Sequence, residues 1–90
     1  MAMHQRGRIT LVQMGLGQSG TVVEVLGGRG LTMRLDALGI RPGKKVTKIS
    51  STFFRGPVTL RVGSSQVAIG FGMASKIAVE VDKYLPRSRG

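Results

Sequence analysis

The chain contains no cysteine and no tryptophan, which excludes disulfide staples, thiolate zinc sites and thiol redox chemistry. Its one histidine, His4, sits in a polar N-terminal segment. The serines therefore lack a plausible general base, and no enzyme activity is expected. Acidic residues are scarce too: Glu24, Asp36, Glu80 and Asp82 are the whole set. Iron-binding sites favour histidine with carboxylate, and Glu80 with Asp82 on one strand face makes only a weak, exposed pair. No catalytic, cofactor-binding or metal-ligating residue is assigned. No apolar run approaches the ~20 residues that span a bilayer. The opening MAMHQRGR has no apolar signal core. A soluble, cytoplasmic protein is the expectation.

What is present is basic charge and glycine. Ninety residues suit one small domain, and a net charge of +10 suggests an anionic partner, a reading that the charge distribution weakens. Five of those ten charges lie near the ends, at Arg6, Arg8, Lys83, Arg87 and Arg89; residues 9–82 carry +5. The expected division is a flexible basic segment 1–8, a domain 9–82, and a flexible basic tail 83–90. A core of this size leaves only about 3–5 kcal/mol of net stability, so self-association is one way to supplement it.

Fourteen glycines punctuate the hydrophobic pattern. Gly15, Gly17 and Gly20 mark a turn; Ile9–Met14 before it alternates weakly, as a short strand or an extended lead-in. Thr21–Leu26 is β-branched and apolar, a strand. Gly27-Gly28-Arg29-Gly30 forms a corner. Leu31, Leu35 and Leu38 then fall at i, i+4 and i+7, one face of a short helix. Gly39 and Pro42-Gly43 end it. Lys45–Ser51 is a strand anchored by Val46 and Ile49. Val58, Leu60 and Val62 alternate in the next, and Val67, Ile69 and Phe71 in the one after, across a Gly63-Ser64-Ser65 turn. Gly72–Ser75 is a tight corner or one helical turn, and Ile77, Val79 and Val81 close the sheet. The fold class is mainly β: a small SH3-like five-stranded barrel with one short helix between the first two long strands, closure removing exposed edges.

The order of these residues resembles the FeoA family of bacterial and archaeal ferrous iron transport. The resemblance runs from Thr10-Leu11 and Leu16–Gly20 through Val22–Val25 and Gly27-Gly28. It is strongest over Leu31–Ile40 and Arg41-Pro42-Gly43, and it continues at Gly56-Pro57-Val58 and Ala74–Glu80. A similar motif occurs in SH3-like domains of metal-dependent repressors related to the diphtheria toxin repressor. Family members often carry a Gly-aromatic pattern before the fourth strand; Gly63-Ser64-Ser65 stands there here. The resemblance implies an SH3-like barrel that binds the cytoplasmic, GTP-binding part of a ferrous iron permease.

The candidate contact residues are Arg34 and Arg41, which flank the helix, and Phe53, Phe54 and Arg55 in the loop before Gly56. For the phenylalanines, capping the barrel competes with meeting a partner. For the arginines, plain solvation competes with an acidic patch. Met14, Met33 and Met73 are read as core fillers. GGRG has neither GxxxxGK[ST] nor GxGxxG spacing, so it is read as a corner and not a phosphate cradle. Two other classes stay open: a basic barrel that binds nucleic acid, weakened by the shortage of aromatics for stacking, and a regulatory module that binds a peptide.

Overall fold

Alternation and glycine punctuation resolve into six strands and two short helices in the computed structural model, which describes residues 3–51 and 56–85. The elements are β1 (Met3–Thr10), β2 (Ser19–Val25), α1 (Arg29–Ala37), β3 (Lys45–Ser51), β4 (Val58–Val62), β5 (Ser65–Ile69), α2 (Phe71–Ala74) and β6 (Ile77–Leu85). The strands form one antiparallel sheet in the order β1-β6-β2-β3-β4-β5.

Two expectations change here. The sheet has six strands, not five, because Met3–Thr10 pairs along its whole length with β6, from Met3 opposite Leu85 to Thr10 opposite Ala78. Backbone expected in the terminal segments 1–8 and 83–90 thus lies in the sheet as far as residues 3–8 and 83–85. Among the described residues no ladder joins β5 to β1, so the sheet is barrel-like without being closed. Its curl comes from register shifts between Val22 and Glu24 in β2 and between Lys48 and Ser50 in β3. Such bulges bend a strand and sharpen its twist.

Inward positions follow the period of two. Val58, Leu60 and Val62 from β4, Ile69 from β5, and Ile77, Val79 and Val81 from β6 are buried. Gly20 of β2 lies close against β6. A Cβ there would stand 2.8 Å from Val81 Cγ1 and 3.1 Å from the Glu80 carbonyl oxygen, so a larger residue would force the strands apart.

Helix α1 closes over this core with one side chain and its exit. Leu35 has no exposure and Leu31 is half-buried. The expected third leucine differs: Leu38 is 38% exposed, and Ile40 at 1% takes the inward place. The helix ends at Ala37, so Leu38 is its C-cap and falls outside the helical period. Gly39 follows at φ 87°, a conformation costly for any residue with a Cβ. Its N–H reaches the Asp36 carbonyl at 2.9 Å, and the Ile40 N–H reaches the Leu35 carbonyl at 2.9 Å. This pair of bonds is the Schellman arrangement, in which the residue after the glycine packs on the last helical turn. The same bonds that end the helix therefore turn Ile40 into the core.

Strand β3 departs from the expected pattern. Val46 is buried, but Ile49 is only half-buried, and the second inward residue is Lys48, 4% exposed. A regular strand cannot aim positions three apart at the same face, whereas Val46 and Lys48 share one. The Lys48 ammonium donates to the Val12 carbonyl at 3.0 Å and the Met14 carbonyl at 2.8 Å. Backbone bonds from Gly17 N–H to the Lys48 carbonyl and from Lys48 N–H to the Gln18 carbonyl complete the attachment. Burial lowers the pKa of Lys48 below the usual lysine value.

Candidate partner-binding surface

The outer side of α1 is set by its inner one. Residues two apart on a helix lie about 200° apart, so burying Leu31 and Leu35 turns Met33 outward. Met33 is 64% exposed, which corrects its assignment to the core; Met14 is buried and Met73 half-buried as read. Met33 lines a shallow groove with Thr32, Asp36, Ala37, Arg41 and Pro42. The groove floor is apolar, and its rim carries one ion pair, Arg41 to Asp36 at 3.1 Å.

Of the expected contact residues, the structure places Arg41 in this groove and Arg34 exposed on the same helix. It does not bring Arg34 into the groove lining. Phe53, Phe54 and Arg55 lie outside the described residues. The GGRG segment divides: Gly28 is the N-cap of α1, without a side-chain cap bond, and Arg29 and Gly30 begin the helix.

A second surface was not singled out in the sequence. Alternation aims Lys45 and Thr47 of β3 and Arg61 of β4 away from the core. The ladder sets Thr47 opposite Arg61 and Ser19 opposite Thr47, and the Ser19 and Thr47 hydroxyls are 2.6 Å apart. Lys44, Lys45, Thr47, Arg61 and Gly63 enclose a cleft of about 280 Å³. Alternating positions in each strand were a legible signal; the register that gathers them was not.

Among the described residues no three histidine, cysteine, aspartate or glutamate side chains come together as a metal site, and no helix is long and apolar enough to cross a membrane.

With that geometry in hand, similarity to known proteins is informative. Residues 9–81 match the FeoA domain family. A relative from Methanocaldococcus jannaschii, provisionally named Fe(2+) transport protein A, is 37% identical over 68 residues, covering 76% of this chain and 80% of the relative. The crystal structure of an iron uptake regulatory protein, FeoA, superposes with a TM-score of 0.75 at 30% identity, over 86% of this chain and 99% of that one. The zinc-complexed crystal structure of a Stenotrophomonas maltophilia FeoA, described as a procaryotic SH3 domain protein, gives 0.68 at 24% identity, over 79% and 88%. The fold is thus SH3-like.

Proposed function

The chain belongs to the FeoA family, and from that premise we propose that it is a cytoplasmic accessory protein of ferrous iron transport that binds the soluble, GTP-binding part of a ferrous iron permease. The mechanism is protein–protein contact that modulates uptake. The observation that carries this reading is family membership across residues 9–81 in a chain whose accessible surface offers a docking groove. A methionine at 64% exposure is an adaptable apolar anchor for a partner. The contact surface is the outer face of α1 around Met33, with Arg34 beside it and Arg41 just past the helix end; Phe53, Phe54 and Arg55 are the further candidate contact residues.

Titration of the purified protein against the cognate permease domain, with GTP, with GDP and without nucleotide, tests this. Saturable binding in at least one state is expected. Met33→Asp should weaken it about tenfold or more, the scale of losing an apolar anchor. Absence of binding in every state at tens of micromolar, a range that captures roughly 6–7 kcal/mol of affinity, overturns the proposal.

A further inference from the structure

The cleft on the outer face of β3 and β4 holds three cations and no carboxylate: Lys44, Lys45 and Arg61 line it, with the Thr47 hydroxyl between them. Lys45 and Arg61 are diagonal neighbours across the ladder, one step from the Thr47–Arg61 pair, within reach of one another's long side chains. Like charges so placed repel. Two of the chain's acids are engaged elsewhere. Glu24 pairs with Arg8 at 2.8 Å, and Asp36 pairs with Arg41 at 3.1 Å. Glu80 does not line the cleft but shares the adjoining hollow with Lys45. Among the described residues no ion pair joins Lys44, Lys45 or Arg61.

We infer that this cleft is a docking site for a carboxylate-rich segment of a protein partner. It lies one turn along the chain from the α1 groove. Pro42 borders the groove and Lys44 borders the cleft, and the turn between them closes through the Lys44 N–H and the Arg41 carbonyl at 3.0 Å. An extended acidic stretch crossing the Arg41–Lys45 turn places carboxylates on Lys44, Lys45 and Arg61 while an apolar neighbour covers Met33. In this form the inference rests on the protein-partner reading above and adds the chemistry of the partner.

Composition favours a peptide over a polynucleotide. The cleft of about 280 Å³ has room for one or two carboxylates. No aromatic side chain lines it to stack a base. Arg61 offers a planar fork that accepts a carboxylate through two N–H bonds, with Lys45 as a point charge beside it.

The test uses the full isotope-labelled chain and an octaglutamate peptide, read by amide chemical shifts. Saturable shifts are expected at Lys44, Lys45, Thr47, Arg61 and Gly63, weakening steeply with salt. The double variant K45Q/R61Q, with an otherwise unchanged spectrum, should lose about tenfold in affinity, while K45R, which keeps both charges and the Arg61 fork, keeps most of it. Absent shifts, or shifts confined to the basic ends of the chain, overturn the inference. So does a single-stranded oligonucleotide that occupies the same amides more than about tenfold more tightly, which assigns the cleft to nucleic acid. If octaglutamate fills the cleft while the permease domain fails to bind, the function proposed above falls and the cleft stands. If the permease domain binds and K45Q/R61Q leaves its affinity unchanged, the cleft falls and that function stands.

Discussion

Helix α1 and the turn at residues 11–18 both cover the sheet's core, and different forces hold them there. The helix is anchored by apolar contact alone, through Leu35 and Ile40. The turn buries Leu11 and Met14, but it is also tied by an ammonium group that reaches up from β3 to two of its carbonyls. Apolar anchoring is non-directional and tolerates repacking. The lysine tie is directional, and it leaves two acceptors unsatisfied if it is cut. One cover can therefore shift on its support; the other is held at a defined place.

Four substitutions would break or sharpen that contrast. Leu35→Ala removes the helix anchor and should cost about 2–5 kcal/mol, much of what a domain this small possesses; urea unfolding measures it. Lys48→Met should cost less, about 1–3 kcal/mol, because carbonyls and not apolar area lose their partner. Its signature is faster amide exchange confined to residues 11–18. The same residue gives a pH dependence of definite sign. Its folded-state pKa is depressed, so the unfolded chain binds the extra proton, and the stability contributed by Lys48 rises as pH climbs from that lowered pKa to the usual lysine value. The wild-type-minus-variant difference should grow with pH across that window, and a flat difference would count against the buried ammonium.

Gly39→Ala comes third, at about 1–2 kcal/mol for a Cβ in left-handed backbone. That Cβ would also stand 3.3 Å from Val62 Cγ1. Its effect should appear as fraying of the last turn of α1 in hydrogen exchange. Arg41→Gln is the smallest. Its ion pair with Asp36 is half-exposed on both sides, so thermal unfolding should move by about 1 kcal/mol or less.

The same contrast explains what could be read from residues alone. Helix α1 was legible because leucine spacing, a stop glycine and Pro-Gly all point to one element. Strand β3 was found with its full span, Lys45–Ser51, but not its inward residue. A lysine at an apolar position is normally read as solvent-facing, and only the carbonyls of a turn 34 and 36 residues away make its burial affordable. β1 was read only at its end, Ile9-Thr10, for a related reason. Residues 3–10 have no strong alternation of their own, and their strand exists through pairing with β6. Of the contact surface, the exposure of Arg34 on α1 and of Arg41 past its end was anticipated. Met33 was not, although its angular distance from Leu35 marked it as outward. Lys45 and Arg61 could be given a face by alternation, but the register that makes them neighbours depends on bulges that no local pattern announces.

The position of β6 has a consequence for biosynthesis. This strand contributes Ile77, Val79 and Val81, all without exposure, and it stands between β1 and β2. The earliest strand to leave the ribosome therefore has no partner until the latest one appears. β2 to β5 can pair as they emerge, yet the sheet gains its sixth member only after residue 77 and its neighbours are free. Completion of the barrel thus waits on the longest-range pairing among the described strands. A ribosome-stalled product lacking β6 would expose both orphaned neighbours as open edges, an invitation to aggregation.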